Sequence, residues 1–227
     1  MAEVILALDV PDRDGALRLL DRLPDLRWVK LGSILVTAAG TDLIQELRRR
    51  ELQVFLDLKW HDIPNTVAGA VRAAAELGVA MATVHTLGGP TMLRAAARAA
   101  SPSLAVVGVT VLTSHEEAEY AATVGRPSVK LLDEASRLAR SAISAELAEM
   151  VCSPLKVERI RANIGNDPLI MVPGIRRPGD TEGDQRRTAS PAEAVRDGAT
   201  HLVVGRPILG APEPAGALSE FLAAAAG

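Results

Sequence analysis

Cysteine is nearly absent: Cys152 is the only one among 227 residues. One thiol cannot close an internal disulfide, so the fold has no covalent staple and nothing points to an oxidising compartment. Long apolar runs are missing too. The longest stretches, 95–100 and 104–112, fall well short of the ~18 residues of a membrane span. No run of basic residues exceeds Arg48-Arg49-Arg50, and the formal net charge is −3 with a pI near 5.9. A chain with that balance lacks the basic face that a nucleic acid requires, so neither nucleic acid nor membrane is expected as a partner. Met1-Ala2-Glu3 leads into an apolar strand rather than a basic leader, and a soluble, cytoplasmic protein is expected. The four histidines, His61, His85, His115 and His201, show no ligand spacing such as His-x-x-x-His. No metal site is expected from them.

What is present is a regular alternation. Hydrophobic residues make up 48% of the chain, enough for one large core and one domain over residues 1–227. Short β-branched runs at 4–9, 28–31, 53–59, 81–85, 104–110, 149–153, 169–173 and 201–205 read as strands. Between them lie Ala- and Leu-rich stretches with arginines at helical spacing, at 14–22, 37–50, 66–77, 89–100, 128–144, 155–162, 191–196 and 215–225. Repeated βα units imply a parallel sheet. Eight such units in a chain near the ~250 residues of a typical barrel suit a single-domain (β/α)8 TIM barrel of the α/β class better than a doubly wound sheet. Two connections are longer: 113–148, with an extra helical stretch at 116–124, and 174–190, rich in Gly, Pro, Arg and Asp and without period. The second reads as a functional loop.

Barrels carry their chemistry at the C-terminal strand ends, so charges on otherwise apolar strands there are informative. Asp9 ends strand one, Lys30 lies on strand two, Asp57 and Lys59 on strand three, and Gly205-Arg206 follows strand eight. Residues two apart on a strand share a face, which puts Asp57 and Lys59 together toward the barrel axis while Leu56 and Leu58 face the helices. An internal salt bridge is the bland reading of this pair, but a buried ion pair is a poor source of stability, and function explains it better. Asp62, just before Ile63-Pro64-Asn65-Thr66, reads either as a helix N-cap or as a functional carboxylate. Cys152 has no evident histidine partner and reads as a packed thiol. Trp28 and Trp60 read as packing residues, as does His61. His85, at the end of strand four, is a structural histidine or one that supports the site.

The run Asp57-Leu58-Lys59-Trp60-His61-Asp62-Ile63-Pro64-Asn65-Thr66 resembles the Asp-x-Lys-x-x-Asp-Ile-Pro-x-Thr motif of the orotidine 5′-phosphate decarboxylase family. The resemblance extends in order through Leu6-Ala7-Leu8-Asp9, Val29-Lys30-Leu31-Gly32, Val109-Thr110-Val111-Leu112-Thr113-Ser114, Val151-Cys152-Ser153-Pro154, Pro173-Gly174-Ile175-Arg176, Gly183-Asp184-Gln185-Arg186-Arg187 and Val204-Gly205-Arg206-Pro207-Ile208, and is strongest with the bacterial branch. It implies conversion of orotidine 5′-monophosphate (OMP) to UMP and CO2 without a cofactor. Lys59 would protonate C6 within a network of Asp57, Asp62 and Lys30. Asp9 and Lys30 would bind the ribose, Thr113 the pyrimidine, and Arg176, Gln185, the Gly205 N–H and Arg206 the phosphate. Asp62, Ile63 and Thr66 would come from the neighbouring subunit of a homodimer with shared sites. The nearest rivals, 3-keto-hexulonate-6-phosphate decarboxylase and hexulose-phosphate synthase, share Asp-x-Lys-x-x-Asp but use Mg2+. They carry an acidic ligand on strand two, where this chain has Lys30, and lack the Ile63-Pro64-Asn65-Thr66 continuation. A barrel kept only as a scaffold would have no reason to retain the Asp/Lys network.

Overall fold

A computed structural model of the chain describes residues 2–147, 149–180 and 188–226. Its strands are β1 (Glu3–Ala7), β2 (Trp28–Gly32), β3 (Gln53–Trp60), β4 (Met81–His85), β5 (Ala105–Val109), β6 (Glu149–Val151), β7 (Leu169–Pro173) and β8 (His201–Val204). All pair in parallel in chain order, and β8 returns to β1 to close the barrel. Around it run α1 (Arg13–Leu20), α2 (Ser33–Ala39), α3 (Asp42–Arg49), α4 (Pro64–Glu76), α5 (Gly89–Ala99), α6 (Glu117–Thr123), α7 (Leu131–Ser144), α8 (Val157–Ile164), α9 (Pro191–Arg196), α10 (Arg206–Leu209) and α11 (Pro214–Ala225).

The local causes are visible in the sequence. In α3, Leu43, Ile44 and Leu47 make one buried face at helical spacing. The Asp12 carboxylate caps α1 by accepting from the Gly15 N–H at 2.7 Å, and Ser190 with Glu193 forms a capping box on α9. The expected helix at 37–50 is two helices, because Gly40 adopts φ 68° between α2 and α3. The fourth helix starts at Pro64 rather than at residue 66, since proline fits the first turn, where its missing N–H costs nothing. Its cap position is Ile63, so the N-cap reading of Asp62 does not hold. The short α10 follows directly on Gly205 and had no periodic signal of its own.

Alternation along the strands separates two cores. Val4, Leu6, Val54, Leu56 and Ile170 face outward and pack under the helices. Ile5, Ala7, Phe55, Met81, Val107, Met171 and Val203 face inward and fill the barrel, with Trp28 and Val151 against them. One strand pair departs from this regularity. Leu56 pairs with Ala82 and Trp60 with Val84, so Asp57, Leu58 and Lys59 lie opposite Thr83 alone. The decorated fifth unit is held by a buried carboxylate: Glu134 on α7 takes Arg137 Nη2 at 2.7 Å, Arg126 Nη2 at 2.7 Å and the Tyr120 O–H at 3.2 Å. The Arg137 hydrogen bonds, helped by Arg126, hold Glu134 down to about 2.

Glu149 shares the inward side of β6 with Val151, and burial pushes its carboxyl up to about 7 from an ordinary 4.5. The folded chain therefore holds this proton through a pH window in which the unfolded chain has lost it, so the stability it contributes is complete below about 4.5 and lost as pH rises through about 7. Glu149→Gln should be stabilised relative to the parent by about 1–2 kcal/mol at pH 8, after allowance for partial solvent screening, and by nearly nothing at pH 4. Paired urea titrations at the two pH values measure this; equal midpoints at pH 8 would show that Glu149 ionises without cost.

Candidate active site

The C-terminal ends of the strands surround a cleft of about 610 Å³. Of the residues singled out in the sequence, Asp9, Lys30, Asp57, Lys59, Thr113, Arg176, Gly205 and Arg206 line it. Asp62, Ile63 and Thr66 do not. They lie on the outer surface at the start of α4, with Ile63 67% exposed and the Asp62 carboxylate accepting from the Ile63 N–H at 2.6 Å. Gln185 lies outside the described residues.

Four of the lining residues form a chain of alternating charge. Lys30 Nζ is 3.1 Å from Asp9 Oδ1 and 3.5 Å from Asp57 Oδ2, and Lys59 Nζ is 2.9 Å from Asp57 Oδ1. Lys30 is buried, and the Asp57 side chain is only 13% exposed. Burial by itself would push the Asp57 carboxyl up. The ammonium groups of Lys30 and Lys59, with hydrogen bonds from Lys59 and Thr83, overturn that and hold it below the usual carboxylate range. Asp57 is thus a buried anion at neutral pH, kept so by two cations that reach it from different strands.

The backbone is shaped around this pair. Gly32 stands beside Asp57 in the register, and a Cβ there would lie 3.3 Å from Lys30 Nζ and 3.4 Å from Asp9 Oδ1. Any side chain at Gly32 would press into the ion pair. Lys59 has φ 51°, a left-handed conformation that costs a lysine on the order of 1 kcal/mol and is stored where the surroundings enforce it. Its N–H donates to Thr83 Oγ1 at 2.8 Å, while the Thr83 hydroxyl lies 3.1 Å from Asp57 Oδ1. Thr83 carries no charge to mark it in the sequence. The signal was there, since alternation from Met81 turns Thr83 and His85 to the barrel interior.

Across the mouth lie the remaining candidates. Arg176 is buried at the root of the 174–190 loop and donates Nη1 to the Ile175 carbonyl at 2.8 Å. The two arms of that loop pair at Ile175 and Ala189, and Arg177 braces it against α11 through Asp180, Glu220 and the Phe221 ring. Gly205 follows β8 with φ −116° and ψ −101°, and a Cβ there would meet that of Ala7 at 3.4 Å. Arg206, the next residue, is exposed at the rim. The cleft therefore has a charged floor at β1 to β3 and a cationic rim after β7 and β8, an arrangement suited to a polar ring or sugar carrying an anionic tail.

Two further titratable groups near the floor are uncharged at neutral pH. The Cys152 thiol lines the cleft but is pushed up to about 12 by burial, so no thiolate forms. His85 is held down to about 4, first by burial and then by His61, Lys59 and His115; it stacks on His61 at 5.7 Å and is neutral at pH 7. Among the described residues no cluster of three or more His, Cys, Asp or Glu could hold a metal ion.

Comparison with known proteins follows the same lines. Residues 2–221 match the family described as orotidine 5'-phosphate decarboxylase / HUMPS. Orotidine 5'-phosphate decarboxylase of Anaeromyxobacter sp. (strain K) is 47% identical over 86% of this chain and 85% of its own length. Its counterpart in Halorhodospira halophila is also 47% identical, over 99% of this chain and 97% of its own. In three dimensions the crystal structure of orotidine 5'-phosphate decarboxylase from Lactobacillus acidophilus superposes with a TM-score of 0.89 at 32% identity, covering 100% of both chains. Likeness of that reach, in sequence and in backbone alike, means that this chain belongs to the orotidine 5'-phosphate decarboxylase / HUMPS family.

Proposed function

We propose that the chain decarboxylates OMP to UMP and CO2, the step that completes UMP biosynthesis, with Lys59 as the proton donor to C6. The observation that carries this reading is the charge chain from Asp9 through Lys30 and Asp57 to Lys59 at the floor of the cleft. Loss of CO2 from C6 leaves a pair of electrons on that carbon, and the reaction needs a fixed cation facing it that can also release a proton. Lys59, at the floor of the cleft beside Asp57, is suited to both tasks. A substrate carboxylate entering beside Asp57 meets an ionised carboxylate, and the repulsion is relieved as CO2 leaves. Asp9 and Lys30 are suited to the ribose hydroxyls, Thr113 to the pyrimidine, and Arg176, Gln185, Gly205 and Arg206 to the phosphate. No cofactor enters this scheme.

The metal-dependent relatives differ at the point where this site is most constrained. Lys30 Nζ sits between Asp9 and Asp57, where its charge would repel a divalent cation. CO2 release from OMP that is insensitive to a chelator supports the cofactor-free reading. Among the described residues no helix is long and apolar enough to cross a membrane, which is in keeping with a cytoplasmic enzyme.

Asp62, Ile63 and Thr66 complete the proposal. They do not line the cleft of their own barrel, and their exposure leaves them open to a second copy of the chain. In a closed two-fold dimer each subunit would lend Asp62 to its partner's Lys59.

Three outcomes check this. Lys59→Ala should lose turnover by at least ~10²-fold, the scale of general-acid catalysis, while UMP still binds; retention of a tenth of parental turnover would falsify the proton-donor role. Arg206→Ala should weaken UMP binding by about 10- to 100-fold, the loss of one charge-assisted phosphate contact, with a smaller effect on kcat. Isothermal titration with UMP decides it, unchanged affinity placing the phosphate elsewhere. Finally, mixing inactive Lys59→Ala and Asp62→Ala proteins should restore activity once subunits exchange, because half of the heterodimer's sites then carry neither change. A mixture that exchanges subunits yet stays inactive shows that Asp62 serves its own barrel.

A further inference from the structure

Lys59 is held by an unusual backbone, and one side chain accounts for how it is held. Between Leu56 and Trp60 the β3 chain bulges, so that three residues stand opposite Thr83 alone. In a regular strand the Lys59 N–H would lie on the β2 side, as that of Gln53 does in donating to the Arg27 carbonyl, and β2 ends at Gly32. Here it donates to Thr83 Oγ1 at 2.8 Å, and the same hydroxyl lies 3.1 Å from Asp57 Oδ1. A hydroxyl has a single proton, and ionised Asp57 can only accept, so the Thr83 O–H donates to Asp57 and accepts from Lys59. Thr83 is fully buried, on the inward side of β4, and does not line the cleft. It has no access to a substrate and acts only through its two neighbours.

We infer that Thr83 is a positioning residue for the reaction, its hydroxyl clamping the Lys59 backbone to the Asp57 carboxylate. The inference rests on the reading of Lys59 as proton donor given above. Three features support it beyond the contacts themselves. Lys59 has a left-handed φ of 51°, which a lysine holds only where the surroundings enforce it. The Lys59 N–H and Nζ are both directed to the same small group, the first through Thr83 and the second directly to Asp57 at 2.9 Å. Thr83 is β-branched, which leaves its χ1 stiff and fixes the direction of the hydroxyl. Backbone, ammonium and carboxylate thus close one ring of contacts, and Thr83 is the member that comes from a different strand.

The effect of breaking this ring differs from that of a cavity or a general loss of packing. Thr83→Val keeps the shape but removes the hydroxyl. It should lower kcat by about 10- to 100-fold, the size of a hydrogen bond to a charged group, with KM for OMP and the affinity for UMP within about threefold of the parent. Thr83→Ser, which keeps the hydroxyl, should recover most of the kcat. If Thr83→Val does not fold, Thr83→Cys supplies the same comparison with a weak donor in place of a strong one, and its kcat must fall in the same way.

Three results overturn the proposal: a Thr83→Val enzyme, or failing that a Thr83→Cys enzyme, with parental kcat; a Thr83→Ser enzyme as slow as Thr83→Val; or a loss shared equally by kcat and UMP affinity. Lys59→Ala assayed alongside separates the two levels. If it is inactive while Thr83→Val is normal, only the role of Thr83 fails. If it is active, the proton-donor reading fails and this inference goes with it.

Discussion

The structure of the site turns on one constraint, the burial of the Asp57 carboxylate. A buried anion is stable only if cations and donors surround it, and β3 by itself supplies only one. The second cation comes from β2 as Lys30, which passes close beside Gly32, where a Cβ would lie 3.3 Å from its Nζ. The first comes from Lys59, two residues along the same strand, and reaches Asp57 through a bulge and a left-handed residue. The hydroxyl comes from β4. Three adjacent strands are therefore shaped by the needs of one carboxylate, and all three present those groups at the end of the barrel where the cleft opens.

Much of this could be read from the chain itself, for a physical reason. Strand alternation is a strict period of two, so Asp57 and Lys59 could be placed on one face, and the βα repeat with its count of eight specified a closed barrel. The breaks in regularity were harder. Gly40 splits a continuous helical pattern because its φ is set by the loop it must turn, and the bulge that bends β3 around Thr83 leaves no mark in hydrophobic periodicity. Asp62 could be read two ways in the sequence, and only the position of Ile63 at the helix start removes the capping alternative. The roles of Asp62, Ile63 and Thr66 concern a surface that one chain does not close, and the residues of a single barrel carry that information only as exposure.

The fifth unit and the loop after β7 show how a rigid frame carries variable parts. Glu134, with its two arginines and Tyr120, fixes α6 to α7 behind the Thr113 side of the cleft. The loop stem is joined by the Ile175–Ala189 bridge and braced on α11 through Arg177. Each places a cleft-facing residue, Thr113 or Arg176, on a segment outside the sheet, and each fastens that segment by charge as well as by apolar burial, with Tyr120, Leu131 and Ile175 in the core.

The filling of the barrel interior sets a rule for traffic. Ile5, Phe55, Met81, Val107, Met171 and Val203 occupy the axis beneath the charged floor. Among the described residues these side chains fill the axis below the floor, and the cleft opens toward the C-terminal strand ends. On the proposed reading, a nucleotide seated with its phosphate at the cationic rim would lie across the same opening by which CO2 formed at the floor would leave, so the two products would share one way out.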